Sequence, residues 1–217
     1  MSAFEYKEYS VLMSVYHKER PEYLKQAIES IQVQSLSTND FVLVCDGPLN
    51  DELDAVIQTK QLEMGENLNV VRLAKNGGLG NALNEGIKHC KNELVARMDS
   101  DDIAYPDRCE KQIAVFNTHS EVSICSGIVE EFTTDPNTVD TRRVPPETNA
   151  EIIEFAKKRN PFNHPCVMYK KSAVKAVGSY QDFYLLEDYY LWLRILMAGY
   201  QGYNIQEPLL HMRAGSD

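Results

Sequence analysis

Long apolar runs are missing from this sequence of 217 residues. The longest apolar stretches are short pieces such as YSVLMSV and FVLVC, well below the roughly 20 residues that a membrane-spanning helix needs. The first residues also lack a basic segment followed by an apolar one, which a secretory signal requires. These absences predict a soluble, cytoplasmic protein.

Cysteine and basic residues are both scarce. The five cysteines are an odd number without a CxxC pair, so neither a zinc site nor a redox pair is indicated. We expect buried, reduced thiols. The 22 basic residues against 32 acidic ones give a net charge of −10, which argues against nucleic acid as a partner. Any phosphorylated ligand therefore needs an additional positive group.

The known phosphate-binding loops are absent as well. No GK[ST] sequence occurs, and NGGLGNALNEG has Leu83 where GxGxxG requires its last glycine. This segment also follows the third predicted strand, whereas a dinucleotide loop follows the first. The simpler interpretation is a tight strand-to-helix turn. The alternative is that glycines beside a helix N-terminus let a nucleotide approach closely.

What the sequence does contain is a regular alternation of short β-rich runs and helical patterns. This order predicts an α/β fold with a mainly parallel sheet flanked by helices. After residue 127 the regularity fades into a polar stretch, predicted to be a strand leading into a mobile excursion, and into the irregular loop RNPFNHP. The predicted strands are 9–15, 41–45, 69–73, 93–98 and 122–127, and the predicted helices are 21–34, 51–64, 79–90, 106–119, 150–158 and one in LEDYYLWLRILMAGY ending near Gly199.

Acidic residues follow two of the predicted strands. Asp46 comes after FVLVC, and Asp99, Asp101 and Asp102 come after ELVARM. Aspartate is common in turns and as a helix N-cap, and Asp102 fits that role for a helix beginning near Pro106. Three carboxylates together repel one another unless a cation neutralises them, and Mg²⁺ or Mn²⁺ prefers oxygen ligands. We therefore expect a cation that holds a diphosphate at this edge of the sheet.

Two further groups are candidates for proton transfer or ligand contact. Glu187 and Asp188 lie at the start of a helix, where acidic residues stabilise the helix dipole. A carboxylate fixed on a rigid helix is also suited to act as a general base. His164, in RNPFNHP, is either a structural histidine or a ligand contact. The residues alone leave both choices open.

Several motifs in order resemble those of family 2 glycosyltransferases with the GT-A fold, a Rossmann-like nucleotide-diphospho-sugar transferase fold. The resemblance extends from residue 9 to about residue 213. It is greatest to bacterial enzymes that build exopolysaccharide, capsule and lipopolysaccharide, among them the enzymes of amylovoran biosynthesis. The motifs are YSVLMSVYHKERPEYLKQAIESIQVQS, FVLVCDGPLNDEL, KNGGLGNALNEGI, ARMDSDDIAYPDR, RNPFNHP and LEDYYLWLR.

The resemblance implies roles for individual residues. Asp99 and Asp101, in the DxD-type motif, are implied as ligands of Mn²⁺ or Mg²⁺, with Asp101 the principal one. Asp188, in the ED motif, is implied as the catalytic base, with Glu187 and His164 in acceptor contact or a secondary role. The implied nucleotide-sugar site consists of Ser14, Val15, Tyr16, Glu19, Asp46, Gly78, Asn81, Asp99, Ser100 and Asp101.

The sequence departs from the family pattern in the nucleotide pocket. Cys45 stands before Asp46, where many relatives have a second acid, and His17 stands where asparagine is common. The identity of the base is therefore open, with UDP as the first expectation. Relatives also often continue beyond the position of Asp217, so an acceptor-binding or membrane-associating tail is expected to be absent.

These observations predict one domain over 1–217, with a nucleotide-binding half at about 9–127 and an acceptor half at about 128–217. The predicted activity is the inverting, metal-dependent transfer of a sugar from a UDP-sugar to a lipid-linked saccharide acceptor. This reaction belongs to the synthesis of bacterial surface polysaccharides. Peripheral association with the inner face of the plasma membrane is part of this expectation.

One alternative is a sugar-1-phosphate nucleotidyltransferase, whose glycine-rich loop should follow the first strand, where this chain has SVYHKERP. The other is a noncatalytic nucleotide-sugar-binding subunit.

Overall fold

A computed structural model describes residues 5–6, 8–183 and 185–215. One sheet of nine strands is flanked by helices on both faces. The strands are β1 Ser10–Val15, β2 Phe41–Cys45, β3 Leu68–Arg72, β4 Leu94–Asp99, β5 Ile103–Ala104, β6 Val122–Phe132, β7 Thr141–Arg143, β8 Met168–Lys170 and β9 Gln201–Arg213. The helices are α1 Pro21–Gln32, α2 Asp51–Met64, α3 Leu79–His89, α4 Arg108–Thr118, α5 Asn149–Ala156, α6 Lys171–Ala176 and α7 Glu187–Met197, with short 3₁₀ turns at Gly65–Asn67 and His164–Cys166.

The first four long strands form the predicted parallel arrangement, in the order β3-β2-β1-β4. Their side chains alternate between two cores, because successive residues of a strand point to opposite faces. Val11 and Met13 pack with α1, α2 and α4 on one face, whereas Leu12 packs with α3, α5 and α7 on the other. The carboxyl ends of these strands therefore meet at one edge.

The sheet changes character beyond β4. The short strand β8 is antiparallel to both β4 and β6, and β9 is then parallel to β6. β5 pairs antiparallel with the end of β9. The β6 and β9 pairing contains register shifts, one of them beside Pro208, which donates no amide hydrogen and is tolerated where a ladder is interrupted.

The sequence patterns located most elements and missed several. α2 has the predicted bounds, α1 and α3 end before the predicted residues, and α4 begins at Arg108 rather than at Pro106 because 105–107 form a turn. β8, α6 and β9 were not predicted: β8 is only three residues long, and Gly202 and Pro208 hide the alternation of β9. Gly199 has a φ of 85° directly after α7 and its C-cap, as expected for a helix stop.

The polar stretch after residue 127 begins as the strand that the sequence predicted. β6 continues to Phe132, and β7 folds back against it as an antiparallel hairpin. α5 then begins at a capping box between Thr148 and Glu151, which satisfies amides at its first turn.

The predictions about cysteines and apolar runs can be compared directly with the structure. All five cysteines are buried and none forms a disulfide: Cys45, Cys90, Cys109, Cys125 and Cys166. Within the described ranges, none of the helices combines the length and apolar character needed to cross a membrane.

Candidate functional site

A cleft of about 720 Å³ opens at the carboxyl ends of β1, β2 and β4. It contains the acidic strand ends that the sequence placed at one edge, and residues of β7 and of the end of β9 also line it. The lining residues are Ser14, Tyr16, Lys18, Glu19, Asp46, Asn76, Gly78, Leu79, Asp99, Ser100, Asp101, Asp102, Glu131, Arg143, Met212, Arg213, Ala214 and Gly215.

Asp46 holds the glycine segment against the end of β2. Its two carboxylate oxygens accept the backbone amides of Gly77 and Gly78 at 2.8 and 3.0 Å. The Asn81 side chain donates to the carbonyl of Gly77 at 2.6 Å and does not line the cleft. Val15 is buried in the core, and its carbonyl accepts the Asp46 amide. Asn81 and Val15 thus support the cleft from outside.

Glu19 and Ser100 connect the first and fourth strand ends across the cleft. The Ser100 hydroxyl donates a short hydrogen bond to the Glu19 carboxylate, which also accepts the amide of Arg20. Tyr16, which follows β1 directly, is 42% exposed at the rim. Its exposed ring is available to a planar ligand.

Asp99 is held from below by a buried arginine. Arg97 and Asp99 lie two residues apart on β4, so their side chains share one face of the sheet. The guanidinium donates from both terminal nitrogens to the two Asp99 oxygens, while only 1% of the Arg97 side chain is exposed. A two-point bond of this kind fixes the direction of the carboxylate as well as its charge.

Asp102 is buried at the same floor and joins it to the last strand. Its Oδ1 accepts the Arg213 amide at 2.9 Å, so it is not the N-cap that the sequence suggested. Burial, together with the charges of Asp99 and Asp101, raises the pKa of Asp102 well above its ordinary value. Among the described residues, its Oδ2 has no hydrogen-bond partner. The floor is therefore crowded with negative charge.

These carboxylates fit a divalent cation of the magnesium or manganese type. In the described part of the chain no group of three acidic, histidine or cysteine residues forms a ready-made metal cage. Mg²⁺ is commonly bound by one or two carboxylates together with ligand phosphates. Asp99 and Asp101 both line the cleft and match this pattern.

Asp188 lies outside the residues that line the cleft. Its Oδ2 accepts the side-chain amide of Asn160 at 2.7 Å and lies 4.0 Å from Nδ1 of His164. Glu187, the preceding residue, lies against the first turn of α3, with its Cβ 3.8 Å from the place where a Cβ on Gly80 would sit. A Cβ at this distance would be in ordinary van der Waals contact, so the starts of α3 and α7 lie close together without a clash at Gly80.

Arg97 also connects the cleft electrostatically to Asp188. Burial opposes the charge of its guanidinium, yet Asp99, Tyr180 and Asp188 together raise the pKa of Arg97 above its ordinary value. The same positive charge affects His164: burial, and then Arg97, lower the pKa of the imidazole well below 6.5. His164 is therefore neutral, and its 4.0 Å separation from Asp188 is not a salt bridge.

Sequence reasoning missed Arg97, Asn160 and Arg213. Arg97 carried a usable signal, because a charged residue two positions before Asp99 in a buried strand must face the same side. Asn160 and Arg213 carried none, since their partners lie 28 and 111 residues away along the chain.

Of the predicted set, the structure brings together Ser14, Tyr16, Glu19, Asp46, Gly78, Asp99, Ser100 and Asp101 in the cleft. It places Asp188, Glu187 and His164 beside one another outside the cleft lining. The roles of all these residues stay predictions.

The model of the family described as Glycosyl transferase family 2 matches residues 10–178. The amylovoran biosynthesis glycosyltransferase AmsE of Erwinia amylovora is 44% identical over 209 residues, covering 96% of this chain and 77% of the relative. An Escherichia coli protein named UDP-Gal:alpha-D-GlcNAc-diphosphoundecaprenol beta-1,3-galactosyltransferase is 39% identical, covering 95% and 74%.

Two solved structures have the same fold at low identity. Staphylococcus aureus TarS 1–349 in complex with UDP-GlcNAc superposes with a TM-score of 0.75 at 18% identity, covering 96% of this chain and 59% of that one. The mannosyltransferase PcManGT of Pyrobaculum calidifontis, in complex with GDP-Man and Mn²⁺, gives 0.73 at 14% identity, covering 98% and 58%. This chain spans less than two thirds of either solved chain.

The predicted fold is confirmed by these superpositions, and the family by the match over most of the chain. The family match ends at residue 178, before Glu187 and Asp188. The chain belongs to glycosyl transferase family 2 and is a glycosyltransferase with the GT-A fold.

Proposed function

We propose that this glycosyltransferase moves a sugar from a UDP-sugar to a hydroxyl of a lipid-linked saccharide during assembly of a bacterial surface polysaccharide, with inversion at the sugar carbon. The observation that carries the proposal is Arg97. This buried cation pairs with Asp99 at the cleft floor and interacts with Asp188 on the other side. A donor-binding carboxylate and a candidate base thus both interact with one buried cation, and the proposed direct transfer requires them to act on the same sugar carbon.

Relatives support the substrate class. The names of two relatives, 44% and 39% identical, refer to amylovoran biosynthesis and to a diphosphoundecaprenol-linked acceptor with UDP-Gal as donor. The fold alone does not choose the nucleotide, since one structural neighbour contains UDP-GlcNAc and another GDP-Man. We infer UDP from the 39% identical relative. The lipid-linked acceptor is consistent with a protein that associates with the inner face of the membrane from the cytoplasm.

In the proposed mechanism, one group of residues binds the nucleotide of the donor and Asp188 activates the acceptor. Asp46 fixes the glycine segment that forms one wall of the nucleotide site. Asp188 removes the proton of the acceptor hydroxyl as its oxygen attacks the anomeric carbon from the face opposite the nucleotide. The bond from that carbon to the diphosphate breaks, UDP leaves with the electron pair, and the proton stays on Asp188 until solvent takes it. One displacement of this kind inverts the anomeric centre.

Asp99 and Asp101 hold the divalent cation in this proposal. When bound, Mn²⁺ or Mg²⁺ neutralises the charge that builds up on the departing diphosphate. An acidic chain with a net charge of −10 needs such a positive group to bind a diphosphate.

We further propose that residues 9–127 and 128–217 act as the nucleotide and acceptor halves of a single domain.

The test of the assigned base is Asp188→Asn, which keeps the shape of the side chain and removes its basicity. Turnover of UDP-sugars should fall by about 10²- to 10⁴-fold, because general base catalysis contributes that much, while UDP binding stays unchanged. Asp182→Asn is a matched control, since Asp182 is an exposed aspartate of the preceding loop. Measurements of UDP release and of UDP affinity by calorimetry decide the question. Full turnover in Asp188→Asn would rule out this base.

A further inference from the structure

The loop 159–165 packs along the first turn of α7. Asp188 and Trp192 are four residues apart and therefore share one face of the helix. Asn160 donates to the Asp188 carboxylate, while the rings of Phe162 and His164 meet the Trp192 indole edge-on, each at a centroid distance of 5.8 Å. The loop thus follows this face of α7, from the acid to the tryptophan.

The other side of the loop is anchored to the sheet. The Asn163 side chain donates to the carbonyl of Gly127 at 2.9 Å and to that of Arg143 at 3.2 Å. The Asn204 side chain, on β9, donates to the carbonyl of Pro161 at 3.1 Å. Proline at position 161 also restricts the backbone of Asn160. A short segment fixed at several points can hold a side-chain amide in one position.

We propose that Asn160 is a positioning residue that orients the Asp188 carboxylate for proton transfer. Its amide binds Oδ2, and the proposal assigns the other oxygen, Oδ1, to the acceptor hydroxyl. A neutral donor fixes the direction of the carboxylate without adding a full positive charge beside a group that must accept a proton. This inference rests on the proposed function, because it concerns the base assigned there.

His164 contributes to the same arrangement from the neighbouring position. Its Nε2 lies 3.0 Å from the Tyr180 hydroxyl, and its Nδ1 lies 4.0 Å from Oδ2 of Asp188. Burial, and then Arg97, lowers the pKa of the ring, so His164 does not place a full positive charge beside the Asp188 carboxylate. Among the described residues, Arg97 on β4 interacts electrostatically with Asp188, and Glu187 precedes it on α7.

Two substitutions separate this role from general support of the loop. Asn160→Ala removes the donor to Asp188, and Asn160→Asp replaces it with an isosteric carboxylate that repels Asp188. Asn163→Ala is the matched control, because it removes an asparagine amide from the same loop that binds only backbone carbonyls of the sheet. Its expected effect is a lower melting temperature.

In Asn160→Ala we expect kcat for UDP release from UDP-galactose, with an α-GlcNAc-diphospholipid acceptor, to fall by on the order of ten- to a hundredfold. KM for the donor should stay within about twofold of the parent value, because the lost contact orients the base and binds no nucleotide. The acid limb of the kcat profile should move to higher pH, and further in Asn160→Asp, because an ionised carboxylate loses a donor or gains a like charge. Asn163→Ala should leave the acid limb in place.

A measurement that needs no turnover checks the same point. The carboxyl carbon-13 resonance that disappears in Asp188→Asn should titrate at higher pH in Asn160→Ala than in the parent chain, and unchanged in Asn163→Ala. Equal titration in Asn160→Ala and the parent, or an equal displacement in Asn163→Ala, would overturn the positioning role. Retained turnover in Asp188→Asn would instead overturn the proposed base, so the two failures are distinguishable.

Discussion

At the scale of the residue, the site depends on how buried charges are balanced. Arg97 is fully buried and pairs with Asp99, while burial, and then the charge of Arg97, lowers the pKa of His164. Because Arg97 is buried while 36% of the Asp99 side chain is exposed, loss of Asp99 would leave a buried guanidinium without this partner. Arg97 therefore belongs to the site together with the three aspartates of ARMDSDD.

His164 should make the stability of the protein depend on pH. Its pKa is lowered well below the ordinary 6.5, so the unfolded chain binds a proton between those two values that the native chain does not. The associated stability is present above pH 6.5 and is lost as pH falls below 6.5, by up to about 1.4 kcal/mol per pH unit. His164→Gln should reduce this slope in urea unfolding measured between pH 5 and 7. His17→Gln, at an exposed position, should keep the parent slope, and an equal slope in both variants would contradict a buried neutral His164.

At the scale of the element, the cleft is shaped by close approaches between strand ends and turns. Gly47, directly after Asp46, has a φ of 87°, and a Cβ there would lie 2.6 Å from the backbone nitrogen of Asn76. The turn after β2 and the segment before α3 therefore touch through backbone atoms. This contact places Gly77 and Gly78 within reach of the Asp46 carboxylate.

Gly47→Ala should disturb both stability and nucleotide binding. The left-handed conformation costs a residue with a Cβ roughly 1–2 kcal/mol, and the contact with Asn76 adds a displacement of the glycine segment. Gly65→Ala is the control, because Gly65 also has a positive φ, of 57°, but has no atom within 4 Å of an added Cβ. We expect backbone strain in both variants, measured by urea unfolding, and weaker UDP binding in Gly47→Ala alone. Unchanged UDP affinity in Gly47→Ala would show that the glycine segment does not shape the nucleotide site.

At the scale of the whole molecule, a strongly acidic chain must bind an acidic ligand. The net charge is −10, and the floor of the cleft concentrates carboxylates from Asp99 to Asp102. The lining also includes Lys18, Arg143 and Arg213, but Arg143 is paired with Glu131 and Arg213 is stacked on Tyr23 and Phe132. Six carboxyl groups line the same cleft as these three cations, so a diphosphate meets an excess of acidic groups, and a divalent ion is the proposed remedy.

UDP should stabilise the native chain chiefly when Mn²⁺ is present. At a ligand concentration about 100 times Kd, the stabilisation is about 2.7 kcal/mol. For a chain of this length, that corresponds to a rise in Tm of roughly 5–10 °C. EDTA, or the substitution Asp101→Asn, should remove most of the rise in a thermal-shift assay, whereas Asp182→Asn should not. The same rise with UDP in EDTA would exclude the proposed metal role.

The sequence by itself determined the alternation of strands and helices and the collection of Asp46, Asp99 and Asp101 at one sheet edge. Those features follow from local periodicity and from the rule that parallel strands end on the same side. Only the tertiary structure decided that Asn160 binds Asp188 and that Asp102 binds the end of β9. Contacts between such distant positions leave no local pattern, because they depend on how separate elements pack. The long β6 and β9 pairing, with its register shifts, was undetermined for the same reason.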